Sequence, residues 1–315
     1  MAPPGINAAN VDAWLAEHVG TTGACSYELI TGGHSNLTFK VVDEAGRELV
    51  LRRPPLGSIL ATAHDMAREH RVISAVGHTS VPVPETLGLC EDDGVNGAPF
   101  YVMGYVAGAV LHDDVVADVE YPDEGPRQRL GDHVADVLAS LHTADPDRIG
   151  LGDLGKREDY VGRQLRRWKR QWDASHQREI PEMDRAFDLL TGQLPEQRYQ
   201  TIVHGDYRLG NMISTPEGRI AAVLDWELCT LGDPLADVGY LLNTWAEAGE
   251  EASEGIGMAP TSIGGFPTRS ELVERYADRS GIDPGNVDYY RAFQYWRLGA
   301  IVEGVYARYV QGAMG

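Results

Sequence analysis

The hydrophobic pattern of this chain turns strand-like from Tyr27 and mostly helical beyond Gly108, and that order limits the folds open to it. From Tyr27 to Leu51 the segments YELI, LTFKVV and ELVLRR alternate or run apolar, separated by TGGHSN and DEAGR. Short apolar runs between turn-forming clusters predict three antiparallel strands. VPVPETLGLC and APFYVMGYV predict two more, with Asp92-Asp93-Gly94 in the turn between them. Beyond Gly108 helical spacing takes over, and Leu130, Val134, Val137, Leu138 and Leu141 mark one core helix. The expected class is α+β. A five-stranded antiparallel sheet plus a helix would occupy 1–103, a crossing 104–108, and a mostly helical part 109–315.

The helix of the first part is predicted over 61–76, with Met66, Ile73 and Val76 as its apolar stripe. Glu69 lies on that stripe. A carboxylate facing inward needs a cation, or it bears a desolvation cost of several kcal/mol. Arg52, at the end of the third strand before Pro54-Pro55, is the nearest candidate, and the strand phase leaves Arg53 as the alternative. A Glu69 at the stripe edge would instead reach water.

Further helices are expected over 11–19, 156–178 and 235–245, and a helix or helix pair over 284–309. The last would bury Leu298, Ile301, Val302, Val305 and Tyr309. The row Tyr160, Gln164, Trp168 and Trp172 reads as core packing. His142 closes the core helix, where the helix dipole favours it. Residues 254–268 are rich in glycine and proline and should be irregular.

Composition narrows the functional classes. At 315 residues there is length for two cores. A net charge of −20 argues against nucleic-acid binding, which needs a basic footprint. It permits a cationic substrate, although an acidic surface kept for solubility explains it equally simply. No apolar run approaches the ~20 residues of a membrane span. The N-terminus lacks the pattern of a secretory signal, and Cys25, Cys90 and Cys229 are scattered. A cytoplasmic protein, monomeric or homodimeric, is expected.

The chemistry concentrates in IVHGDYRLGNMI, residues 202–213. Buried apolar sequence on both sides holds a polar loop carrying His204, Asp206, Arg208 and Asn211. A second apolar run, AAVLDWE, places Asp225 at a strand end. Two carboxylates and a carboxamide supply hard oxygen ligands of the kind Mg²⁺ takes, with one carboxylate left to deprotonate a hydroxyl. The turn Thr31-Gly32-Gly33-His34-Ser35-Asn36 could bring backbone N–H groups to phosphate, or be an ordinary hairpin turn.

HGDYRLGN resembles the catalytic-loop signature of the aminoglycoside phosphotransferase and choline kinase superfamily, which is similar in fold to protein kinases. VLDWE with LGDPLADVGYLL resembles its metal-binding segment. LVLRRPP, REHRVISAV and PFYVMGYVAGAVL match its strand, helix and hinge. The resemblance implies a bilobal kinase-like fold with a nucleotide-binding first lobe and an acceptor site in the second. It implies ATP and Mg²⁺ as cofactors and a small-molecule hydroxyl as acceptor. Asp206 resembles the catalytic base, and Asn211 and Asp225 the Mg²⁺ ligands. Arg52 stands where a lysine is usual, with Glu69 as its holder. Ser35 and Asn36 belong to the phosphate turn. Met103 resembles the gatekeeper, and Gly104 and Val106 the adenine-binding hinge. Arg208 either stabilises the transferred phosphoryl group or forms a surface salt bridge. His204 braces the loop, and Asp233 and Asp237 are structural supports, either of which could orient it.

LRRPP and GAIVEGVYARY resemble phosphotransferase domains found with acyl-CoA dehydrogenases, which implies a hydroxyacyl-type acceptor. The alternatives are an aminoglycoside-type antibiotic kinase, which would need carboxylates such as Glu251, Glu254 and Glu303 at the cleft, and a silent nucleotide-binding module. A metal-dependent hydrolase using His204, Asp206 and Asp225 ranks last, because it leaves the first part unexplained.

Overall fold

The period-two segments of the first hundred or so residues pair into one sheet. A computed structural model describes residues 2–30, 36–56, 65–250 and 259–310. The chain divides into two units, Met1–Gly108 with Ala221–Glu227, and Ala109–Ile220 with Leu228–Gly315.

The first unit opens with α1 (Ala8–His18) and β1 (Ser26–Leu29), β2 (Leu37–Val42) and β3 (Glu48–Arg53). Then come α2 (Met66–Val76), β4 (Thr86–Cys90), the single turn α3 (Asp93–Asn96) and β5 (Phe100–Gly104). The five strands form one antiparallel sheet in the order β1-β2-β3-β5-β4. Alternation sorts β3 between two faces. Leu49 and Leu51 join Phe39, Val41, Phe100 and Val102 in a core closed by Val11 and Leu15 of α1. Arg52 therefore points to the other face, where α2 packs against β4 and β5.

Helix α2 begins at Met66, later than the sequence indicates. The Asp65 backbone is extended, and its side chain accepts the Arg68 N–H at the N-terminus. Residues 61–64 lie outside the described residues. Asp92 likewise caps α3 where a plain turn was expected.

The second unit contains α4 (Asp114–Glu120), α5 (Glu124–Thr143), α6 (Tyr160–Ser175) and α7 (Pro181–Gly192). After these come β6 (Thr201–Val203), β7 (Met212–Thr215), β8 (Arg219–Val223) and β9 (Thr230–Gly232), then α8 (Leu235–Asn243), α9 (Arg269–Ser280) and α10 (Val287–Val310). β6 pairs with β9, and β7 with β8. The tail of β8 passes into the first unit, where Val223 N–H reaches the Pro82 carbonyl at 2.8 Å. Helix α10 packs on α6, α7 and α8, and α5 packs on α9.

Helix α10 is a single helix, but its buried side differs from the expected one. Phe293, Trp296, Ala300 and Ala307 face inward together with Gln294, Arg297 and Glu303. Val302, Val305 and Tyr309 are exposed. Polar residues that find partners inside displaced the apolar stripe that spacing alone suggests. Among the described residues no helix is long and apolar enough to cross a membrane.

Candidate active site

Two clusters of polar side chains carry the candidate chemistry, one in each unit. In the first, Arg52 lies on the α2 face of the sheet. Its Nη2 donates to Asp225 Oδ1 at 2.7 Å, and its Nε stands 3.3 Å from Glu69 Oε2. The strand phase thus selects Arg52. Arg53 turns to the opposite face, where Nη1 donates to the carbonyls of Gly5 and Asn96.

Glu69 is buried on α2 beside Met66, Ile73 and Val76. Neither carboxylate oxygen makes an aligned hydrogen bond. Burial therefore outweighs the pull of Arg52 and pushes the Glu69 carboxyl up to about 7. Burial works against the charge of Arg52 too, yet Glu69, Tyr101 and Asp225 together hold its pKa above the ordinary value.

Asp225 follows β8 with φ +64°, a left-handed conformation that a residue with a Cβ adopts rarely. Buried Trp226 anchors the next position through an Nε1 hydrogen bond to the Val223 carbonyl. Asn36 is buried with Nδ2 3.4 Å from Glu227 Oε2, and its Oδ1 lacks a hydrogen-bond partner. Ser35 lies outside the described residues.

At the end of β5, Met103 is buried and Gly104 gives its N–H to the Glu85 carbonyl at 2.8 Å. Val106 is half-buried two residues on.

The second unit holds the loop after β6. His204 is fully buried, and Gly205 has φ +88°. A Cβ at Gly205 would meet the Leu228 Cβ at 3.0 Å and the Leu228 carbonyl oxygen at 3.1 Å. Asp237, in the first turn of α8, binds the loop backbone. Its Oδ2 accepts the His204 N–H at 2.6 Å and its Oδ1 the Gly205 N–H at 2.8 Å. His142 from α5 stands 3.3 Å from Asp237 Oδ2 and 2.7 Å from the Tyr276 hydroxyl. Burial would raise the Asp237 carboxyl, but contact with His142 and the loop amides holds it below the usual range. His142 thus belongs to the support of this loop, beyond its place at a helix end. Asp233 supports a different contact, accepting the Tyr290 hydroxyl at 2.7 Å.

The Asp206 N–H donates to His204 Nδ1 at 3.2 Å, so His204 does brace the loop. Asn211 ends a single 3-10 turn, and its Nδ2 donates to the Asp206 carbonyl at 2.8 Å and to Asp206 Oδ2 at 2.6 Å. With the amide nitrogen committed, the carboxamide oxygen remains for other partners. Arg208 Nε lies 3.5 Å from Asp206 Oδ1. Both are partly exposed, as a group that meets a substrate must be.

Two residues of this cluster escape the sequence reading. Tyr240 of α8 brings its hydroxyl to the Asp206 carboxylate; burial first, then the Asp206 charge, raises its pKa. Arg297 of α10 donates through both Nη1 and Nη2 to the Gly205 carbonyl, each at 3.3 Å. Its signal was its phase, seven after Tyr290 and four after Phe293, both of which are buried.

Each unit offers a hard oxygen donor, the Asp225 carboxylate in the first and the Asn211 carboxamide in the second. Among the described residues no group of three or more His, Cys, Asp or Glu side chains could hold an ion.

The chain was compared with known proteins. Residues 26–284 match the phosphotransferase enzyme family. Mouse acyl-CoA dehydrogenase family member 10 is 37% identical over 307 residues, covering 96% of this chain and 28% of that protein. Chicken acyl-CoA dehydrogenase family member 11 is 36% identical over 297 residues, covering 92% and 38%. The chain therefore spans well under half the length of these curated relatives.

A Ralstonia eutropha crystal structure, provisionally described as an aminoglycoside phosphotransferase, is 37% identical with a TM-score of 0.82, covering 97% of this chain and 90% of that one. The streptomycin and ATP complex of APH(2")-IIa is 16% identical with a TM-score of 0.61, covering 97% and 96%, and shares the fold. With a family match over most of its length and this identity to a solved relative, the chain belongs to the phosphotransferase enzyme family.

Proposed function

We propose that this chain is an ATP- and Mg²⁺-dependent small-molecule phosphotransferase that moves the γ-phosphate to a substrate hydroxyl. The observation that carries the reading is the Asp206–Asn211 pair. A partly exposed carboxylate is fixed by a 2.6 Å amide contact on a loop whose backbone is itself held by Asp237. A general base needs that combination of fixed direction and access.

In this reading Asp206 accepts the acceptor hydroxyl's proton, and Arg208 stabilises charge on the phosphoryl group. Asn211 and Asp225 are the Mg²⁺ ligands, and the ion, when bound, neutralises triphosphate charge. Arg52, held by Glu69, binds phosphate, assisted by Ser35 and Asn36. Met103, Gly104 and Val106 receive the adenine. The first unit corresponds to the nucleotide-binding lobe, with 104–108 as hinge, and residues from 109 on supply the catalytic loop and acceptor site.

The names of the curated relatives support a hydroxyacyl-type acceptor. An aminoglycoside acceptor is disfavoured by Glu303. Its carboxylate is buried and already engaged by the Gln177 N–H and the Arg178 guanidinium. Glu251 and Glu254 lie outside the described residues. A silent module would have no need of the Asp206–Asn211 arrangement.

A phosphorylation screen with radiolabelled ATP tests the reading, with hydroxyacyl-CoA compounds, sugars, amino alcohols and aminoglycosides as acceptors. Transfer to a hydroxyacyl compound that vanishes in Asp206→Asn supports it. Transfer only to aminoglycosides overturns the acceptor class, and no transfer to any acceptor overturns the activity.

A further inference from the structure

We infer that Arg297, in the last helix of the chain, is a positioning residue for Asp206. The role of Asp206 as base, and with it the expected effect on turnover, rests on the phosphotransferase reading; the contact itself is geometric. The Gly205 carbonyl belongs to the peptide that leads into Asp206. Arg297 grips it with two nitrogens, Nη1 and Nη2, at 3.3 Å each. The same peptide's N–H, that of Asp206, donates to His204 Nδ1. The preceding peptide is tied through the Gly205 N–H to Asp237. Both peptide planes flanking Gly205 are thus held, and they fix the direction in which the Asp206 side chain leaves the backbone.

The guanidinium is placed with care. Nη1 also donates to Gln294 Oε1 at 3.0 Å, and Gln294 Nε2 donates to the Ala236 carbonyl, next to Asp237. The ring of Trp168 lies 5.7 Å from the guanidinium carbon. The helices that bind the two sides of the Gly205 backbone are therefore linked to each other.

The charge is the telling feature. Arg297 is 8% exposed, and its guanidinium meets a backbone carbonyl, a carboxamide oxygen and an aromatic ring. Its Nε makes no hydrogen bond. A buried cation costs several kcal/mol unless it is compensated. A helix that needed only to pack would carry an apolar residue at this phase, as Phe293 and Ala300 do nearby. A forked donor on one carbonyl fixes the plane of that peptide, which a single-point lysine cannot do.

The test compares the full-length wild type with Arg297→Met and Arg297→Lys. Amide hydrogen exchange is read over 202–213 and, as a reference, over α5, together with thermal melting. MgATP turnover is measured in parallel with water as acceptor. In Arg297→Met, exchange over 202–213 should rise by about tenfold or more while α5 and the melting temperature stay unchanged. Turnover kcat should fall by roughly tenfold to a hundredfold with the KM for ATP unchanged. Arg297→Lys should restore part of both.

Unchanged exchange over 202–213 overturns the inference. So does a rise spread over the whole chain with a lowered melting temperature, which marks a packing residue. Altered exchange with unchanged kcat also overturns it. If Arg297→Met does not fold, Arg297→Lys decides by the same readings. A wild type that turns over no ATP with water and transfers phosphate to no acceptor of the screen, while Arg297→Met still shows the local exchange response, overturns the kinase reading and leaves the Arg297 contact standing.

Discussion

Asn211 gives its side-chain amide to the carboxylate of Asp206 at 2.6 Å, and to the Asp206 carbonyl at 2.8 Å. One carboxamide thereby fixes both the rotamer of the proposed base and the turn that carries it. Asp206→Asn would keep the shape of this contact and lose the basicity. Phosphoryl transfer should fall by roughly 10²–10⁴-fold, with the melting temperature within a few degrees of wild type. A variant that retains more than about a tenth of the turnover would remove Asp206 from the role of base.

Asp225 combines a proposed metal ligand with a left-handed backbone. Asp225→Gly and Asp225→Ala both lose the carboxylate, so both should abolish Mg²⁺-dependent transfer. They should differ in stability. Glycine accepts φ +64° without strain, and alanine does not, so the glycine variant should be about 1 kcal/mol more stable in urea unfolding. Equal stabilities would mean that the left-handed geometry is not maintained in solution.

Arg52 spans two carboxylates from two nitrogens, Nε toward Glu69 and Nη2 toward Asp225. Lysine retains the charge but has a single nitrogen. Arg52→Lys should therefore fold and bind ATP with a KM raised by about tenfold. Arg52→Met leaves Glu69 buried without its cation. Because Glu69 then takes up a proton, the cost should be on the order of 1–3 kcal/mol in urea unfolding. No loss on Arg52→Met would show the ion pair to be dispensable.

Burial raises the Glu69 carboxyl from its ordinary 4.5 to about 7. The folded state thus holds this proton more tightly than the unfolded chain does. The stability it contributes is present in full below about pH 4.5 and is lost as pH rises through about 7. Glu69→Gln cannot titrate. The stability difference between variant and wild type should therefore shift toward the variant between pH 5 and pH 8. A pH-independent difference would contradict the raised value.

Gly205→Ala would introduce a Cβ 3.0 Å from the Leu228 Cβ at a residue with φ +88°. Strain and contact together should cost about 2 kcal/mol or more in stability, and displacement of the next residue, Asp206, should lower turnover. Wild-type activity with unchanged stability would mean that this loop is more tolerant than its packing indicates.

Local patterns made the sheet, the helix of the first unit and the loop chemistry readable. Period-two alternation orders Leu49, Val50, Leu51 and Arg52 between two faces, and helical spacing puts Glu69 among Met66, Ile73 and Val76. The strand phase even decides between Arg52 and Arg53 once the sheet face is known. What stayed hidden depends on contacts between distant segments. Arg297 and Glu303 sit on the inward side of α10 because a loop carbonyl and Arg178 meet them there. A reading by hydrophobicity alone turns that helix the wrong way and buries Val302 and Tyr309. The start of α2 at Met66 is set locally, by the extended Asp65 whose side chain caps it.

The first unit is stitched from two separated stretches of sequence, since Ala221–Glu227 returns to it after the chain has built most of the second. A truncation after Gly108 would therefore produce an incomplete body lacking Asp225. Gene fusions or chimeras that exchange the N-terminal part at that junction would carry over Arg52 and Glu69 without the carboxylate that shares their charge. Recombination that respects the molecule would have to exchange both pieces together.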